Sequence, residues 1–292
     1  MMRSKKTWIF FCVVVFFSML MKAQTPDILR LEYMAMPRNN AEAQLSRMKL
    51  VANIPFKVGE KDNILIGAEY NGFSYNLQQV LPFDKNLFKN FHVMDLNLAY
   101  IHRYDEQWRF IGVLTPRVSS TLNDGLQNKD LNLNVTIGAF KEQKDIAKPT
   151  RLVLGIAYNG TVALRIPLPI IYYEKKFDTH WSYVIGAPKS GMKYHLDEKH
   201  MFQTEFILDG YYSNLQNNIV VPNGMTATAI ASSAAIVTLG YQFALDKNMF
   251  FYGYFGHTLF QDAVLRNEER KVSYTINEEP SFYFRTGFRI GL

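Results

Sequence analysis

The chain has 292 residues, a formal net charge of +6 and a single cysteine, Cys12. One cysteine excludes a disulfide framework and a cysteine-rich zinc site. Four positive charges (Arg3, Lys5, Lys6, Lys22) and no acids fall in the first two dozen residues; the rest carries +2 and offers no basic cluster for nucleic acid.

Residues 1–23 read as a secretory signal peptide. Arg3, Lys5 and Lys6 precede an apolar run from Trp8 to Met21 that only Ser18 interrupts, and Ala23 is the small residue before the cut. The run is shorter than the roughly 18–20 residues of a helical span. Cys12 lies inside the run and away from the cut, so it is not a lipidation site. Residues 24–292 hold no continuous apolar span, which excludes a helical membrane protein.

Alternation of apolar and polar residues, the mark of a strand with two unlike faces, then recurs along the chain. Leu29, Leu31, Tyr33 and Ala35 alternate with Arg30, Glu32 and Met34. Met48 to Val58 alternates with Arg47, Lys49, Val51, Asn53 and Lys57. After the turn 59–62, Ile64, Ile66, Ala68 and Tyr70 alternate with Gly67, Glu69 and Asn71. Met94 to Tyr100 follows with Asp95 and Asn97, then Trp108 to Leu114, Leu131 to Ala139 and Leu152 to Tyr158. Ile166 to Lys175 is a weaker strand, because Pro167 and Pro169 lack ladder donors. A short pair lies around 181–187 and 191–196. Phe202 to Tyr212 alternates with Gln203, Glu205 and Asp209, and Val237 to Phe243 is followed by Phe250, Tyr252 and Tyr254. In the last strand Phe282, Phe284, Thr286, Phe288, Ile290 and Leu292 share one face, and Tyr283, Arg285, Gly287, Arg289 and Gly291 share the other. A terminal strand in that phase is the expected signal to the barrel-insertion machinery.

Short turns are expected near 59–62, 104–106, 176–180, 197–199 and 245–248, and longer loops near 75–90, 119–129, 213–227 and 258–279. Short turns on one side and long loops on the other suit a transmembrane barrel. The expected fold is therefore all-β, a closed antiparallel transmembrane β-barrel of about 12–14 strands; the short pair decides the count. Thr226 to Ala235 is rich in small residues and is open to a loop helix instead of a strand start. Tyr33, Tyr70, Tyr100, Trp108, Tyr158, Trp181, Tyr212, Tyr252 and Tyr254 suit interfacial girdles. Such a protein resides in the outer membrane, with lipid as its surroundings.

Several residues carry a resemblance to a known family. They are Asp27-Ile28-Leu29-Arg30-Leu31-Glu32-Tyr33, Pro55, Pro167-Leu168-Pro169 with Tyr172, Gly186-Ala187-Pro188 and Gly287-Phe288-Arg289-Ile290-Gly291-Leu292. On these the chain resembles the outer-membrane barrels of Bacteroidota grouped as domain of unknown function 6268, across essentially all of residues 24–292. The resemblance implies fold and location and brings no activity with it.

Chemistry is sparse. His195, Glu198 and His200 cluster, but their spacing matches no metal motif and falls in an expected turn, so no metal site is assigned. There is no G-x-S-x-G, P-loop, dinucleotide or EF-hand motif, and no catalytic residue or cofactor is assigned. His92, His102 and His257, with Ser74, Ser119, Ser120 and Ser213, leave open a triad assembled from distant strands. The polar face supplies the lumen candidates Arg30, Glu32, Arg47, Lys49, Glu69, Asp95, Glu205, Arg285 and Arg289. They either line a mildly cationic pore or form an ion-pair network that plugs a narrow barrel. If first and last strands pair, Arg30 and Glu32 lie beside Arg285 and Arg289. Passage or binding of an unnamed small solute is the leading expectation. A lipid- or glycan-modifying enzyme and a structural or surface-interaction barrel with a plugged lumen are the alternatives.

Overall fold

The computed structural model describes residues 27–144, 146–160 and 166–291. The expected signal peptide and Leu292 lie outside them. The strands are β1 (Leu29–Met36), β2 (Ala43–Lys57), β3 (Asp62–Leu77), β4 (Phe91–Arg103), β5 (Trp108–Ser120), β6 (Leu131–Gln143), β7 (Thr150–Tyr158), β8 (Leu168–Lys176), β9 (Trp181–Ala187), β10 (Lys189–His195), β11 (His200–Val220), β12 (Thr226–Asp246), β13 (Met249–Arg266), β14 (Val272–Asn277) and β15 (Phe282–Ile290). Each of β1 to β13 pairs with the next, β13 pairs with β15, and β15 pairs with β1. The result is a closed antiparallel ring of fourteen strands. β14 stands outside the ring, paired only to the upper end of β13. The short pair is present as β9 and β10, which settles the count. Closure removes the open edges that unpaired backbone groups would otherwise expose.

Alternation decides the two faces. In β2, Leu50, Ile54 and Phe56 are exposed, while Val51 and Asn53 between them are buried. Ile54 is 60% exposed, Ile137 67% and Leu239 66%. Large aliphatic side chains at such exposure around a whole ring suit hydrocarbon rather than water. The inward face is polar at the end with short turns and apolar at the end with long loops.

The short-turn end has a repeated device. Asp105 accepts hydrogen bonds from the Gln107 and Trp108 amides at 2.8 and 2.7 Å. Asp178 does the same for His180 and Trp181, and Asp197 for Lys199 and His200, all at 2.7 Å. An aspartate that satisfies the amides two and three residues on fixes a tight turn before the next strand.

Three expectations are corrected. The loops placed near 213–227 and 258–279 are largely strand: β11 runs to Val220, β12 starts at Thr226, and β13 reaches Arg266. The stretch Thr226 to Ala235 is accordingly strand, not helix. It hides from an alternation test because both of its faces are buried, Ile230 and Ala234 on one side and Ala229 and Ala231 on the other. Finally, Tyr212, Tyr252 and Tyr254 are no part of a girdle. Tyr212 packs with Ala229, Ala231 and Val264, and the other two point into the lumen. β13 is aromatic on both faces, with Phe251 and Phe255 outside, so apolar residues alone could not give its phase.

Candidate functional site

Among the described residues, charged side chains meet in pairs inside the ring, and Arg30, Glu32, Arg47, Lys49, Glu69, Asp95, Glu205, Arg285 and Arg289 take part in them. At the short-turn end, closure of β1 on β15 sets Arg30 directly opposite Arg289 and Glu32 opposite Gly287. Asp27 serves both arginines: Arg30 Nε donates to Asp27 Oδ2 at 2.6 Å, and Arg289 Nη1 lies 3.5 Å from Asp27 Oδ1. Arg289 also donates to Gln242 Oε1 at 2.9 Å and stacks on Phe250.

One layer further in, Glu32 accepts from the Tyr252 hydroxyl at 2.8 Å, and Arg285 Nε stands 3.9 Å away. Arg285 Nη2 donates to Glu205 Oε2 at 2.6 Å and lies over the Tyr254 ring at 4.1 Å. Glu205 further accepts from Lys189 and from Gln203. On the next two strands Lys49, the direct cross-strand partner of Glu32, pairs with Glu69 at 2.7 Å. Asp95 sits across from Glu69 and is held by Arg117 through two bonds of 2.6 Å. Without those cations the facing carboxylates would repel. Arg47 pairs with Asp209 at 3.0 Å, from β2 across the lumen to β11.

That pair belongs to a larger crossing. Above Asp209, β11 runs past the end of β10 and, still paired with β12, reaches over the lumen to β3 and β5. Tyr211 packs on Phe73 of β3 with ring centroids 4.0 Å apart, and its hydroxyl meets that of Tyr75. The Ser119 hydroxyl donates to the Tyr212 carbonyl at 2.8 Å, the Thr121 amide donates to the Asn214 carbonyl, and Asn214 pairs with Ser120 of β5. Gln216 joins Asp130 at 2.7 Å. Beneath this crossing Met34, Phe73, Phe88, Phe91, Leu215 and Ile219 form one buried cluster. Burial of each such side chain is worth about 1.5–3 kcal/mol, whereas a buried ion pair roughly breaks even against its desolvation. The apolar cluster, not the Arg47–Asp209 pair, therefore holds β11 across the lumen.

The enzyme-like candidates are not brought together. His195 lies 3.5 Å from Ser182 inside the barrel, while His200 bonds Tyr241 on the outer face, so the pair cannot share an ion with Glu198. His92 bonds Tyr70, His102 bonds Asp62 and His257 bonds the Thr258 carbonyl. Ser119 and Ser120 are committed to the crossing, and Ser213 is fully buried. Among the described residues no serine joins a histidine that is bonded to a carboxylate.

Sequence reasoning missed Asp27, Lys189, Lys193, Glu174, Gln242 and Tyr252 as lumen residues. Lys193 pairs with Glu174, which also accepts from Tyr172 at 2.7 Å. The signal for Lys189 and Lys193 is faint because β10 is only seven residues long.

No curated protein matches the sequence. Among solved structures the chain is similar to an outer membrane channel from Pseudomonas putida F1, at 8% identity, 93% of this chain, 99% of that chain and a TM-score of 0.43. It is also similar to the NanC porin (11%, 90% and 100%, TM-score 0.38) and to LpxR from Salmonella typhimurium (6%, 90% and 100%, TM-score 0.37). Likenesses at this level carry nothing about solute or activity. The family model described as "Domain of unknown function (DUF6268)" matches residues 34–291, and the chain belongs to that family.

Proposed function

We propose that this protein is an outer-membrane barrel, exported by a signal peptide at residues 1–23, that binds a small solute from its short-turn, periplasmic side and is not a standing pore. The observation that carries this reading is the traverse of β11, which fills the long-loop half of the lumen with buried apolar side chains and leaves the charged half facing the short turns. The outward aliphatic band supports the membrane setting, and lipid is its partner there.

Planar bilayers test the closed state. Purified protein is expected to give no conductance steps in either polarity at neutral pH, and frequent open-channel steps of the unmodified protein would overturn the reading. Replacing Phe73, Phe91 and Leu215 together with alanine removes the packing that holds the crossing, and is expected to produce conductance.

A further inference from the structure

We infer that the periplasmic mouth of the lumen carries a binding site for a small oxyanion, a carboxylate or phosphate group, between Arg30 and Arg289. The inference rests on the reading of a solute-binding lumen and names the chemistry of what is bound.

The argument is one of charge and donor balance. Closure of the barrel forces two guanidiniums to be direct cross-strand partners. Like charges so placed are destabilising unless an anion stands between them. Asp27 is that anion, but one carboxylate serves two arginines, so one positive charge is left over at the pair among the described residues. Neighbouring carboxylates are committed elsewhere: Glu32 to Tyr252 and Arg285, and Glu205 to Arg285 and Lys189.

Donors are also left over. Arg30 uses Nε and Nη2 on Asp27, and Arg289 uses Nη2 on Gln242 with a long contact from Nη1 to Asp27. A guanidinium has five N–H groups in a planar fork matched to a carboxylate or phosphate. Phe250 beneath Arg289 holds that fork in place. The pair remains reachable, since the Arg30 side chain is 36% exposed and that of Arg289 is 23% exposed.

Calorimetric titration of inorganic phosphate, and separately of acetate, into the detergent-purified barrel tests the site. Saturable binding of at least one of them is expected. Arg30→Gln and Arg289→Gln should each weaken it about tenfold or more, the size of one lost charge-assisted contact. Asp27→Asn should strengthen it, because the competing carboxylate is gone; a purely structural role for Asp27 gives no such gain. A heat-modifiable gel band verifies that each variant is folded. Where a glutamine variant fails that check, Arg289→Lys keeps the charge without the fork and should weaken binding severalfold. Absence of binding, or binding that none of these changes alters, overturns the site. A protein that conducts yet binds phosphate would overturn the closed-lumen reading and leave the site standing.

Discussion

At the scale of single residues, the seam between β15 and β1 depends on a side chain that is absent. Tyr252 of β13 reaches over β15 to give its hydroxyl to Glu32 of β1, and Gly287 is the residue it passes. A Cβ built on Gly287 would lie 2.5 Å from the Tyr252 hydroxyl and 2.7 Å from the Leu31 carbonyl, closer than packed atoms tolerate. Gly287→Val should therefore displace Tyr252 and strip Glu32 of its short hydrogen bond. A hydrogen bond to a buried charged acceptor is worth about 1.5–3 kcal/mol. Tyr252→Phe removes that bond alone and Gly287→Val adds the backbone clash, so the glycine variant should be the less stable. Guanidinium unfolding from micelles measures both; a midpoint for Gly287→Val at or above that of Tyr252→Phe would show that the crossing is not sterically set.

At the scale of elements, the turns and the long hairpin teach opposite lessons about legibility. The Asp-led turns were readable because a polar stop between two alternating runs has one simple solution. The carboxylate of Asp105 is held below its ordinary range by the amides of Trp108 and Gln107, that of Asp178 by Trp181 and His180, and that of Asp197 by Lys199 and then His200. All three lie outside the membrane-spanning strands. A carboxylate whose folded value is depressed contributes stability above its unfolded value, about 3.9, and loses it as pH falls through the folded value. Asparagine keeps the acceptor oxygen without the charge. The variant Asp105→Asn/Asp178→Asn/Asp197→Asn should thus be less stable than the parent near pH 7, and its guanidinium midpoint should drop less between pH 5 and pH 3, so that the two proteins converge in acid. Parallel acid dependence of the two proteins would remove these turns as the cause. The β11–β12 hairpin was illegible for a different physical reason. Alternation reports a contrast between two environments, and above Asp209 both faces of the hairpin are packed. Mid-strand charges need a polar interior, which is the ground on which the sequence singles them out. Their partners cannot be read the same way, since Arg47–Asp209 and Arg285–Glu205 join strands far apart in the chain.

At the scale of the whole molecule, strand length accounts for the proposed closure of the lumen. A tilted strand needs roughly 9–11 residues to cross a bilayer. β9 and β10 have 7 residues each, whereas β11 and β12 have 21 each. The tall hairpin carries about twice the length that a span requires. Its surplus carries apolar side chains that must be buried, with Leu215, Ile219, Ile230 and Ala227 almost wholly so, and standing in water above the membrane would expose them. Folding inward over the low wall is the available way to bury it, and the opposite rim at Ser120 is where it lands. This geometry can be trapped. Cys12, the chain's single cysteine, lies within the proposed signal peptide, so Ser120→Cys/Asn214→Cys introduces a lone pair into residues 24–292, at two residues that are direct partners across the lumen. Partnered Cα positions fall within the span a disulfide bridges. Oxidation of the folded double variant in native membranes should cross-link it nearly completely, and the bond should persist through bilayer recording without conductance. Free thiols that stay fully reactive in the folded barrel would mean that β11 stands away from β5 in the membrane, and the lumen would then have to be read as open.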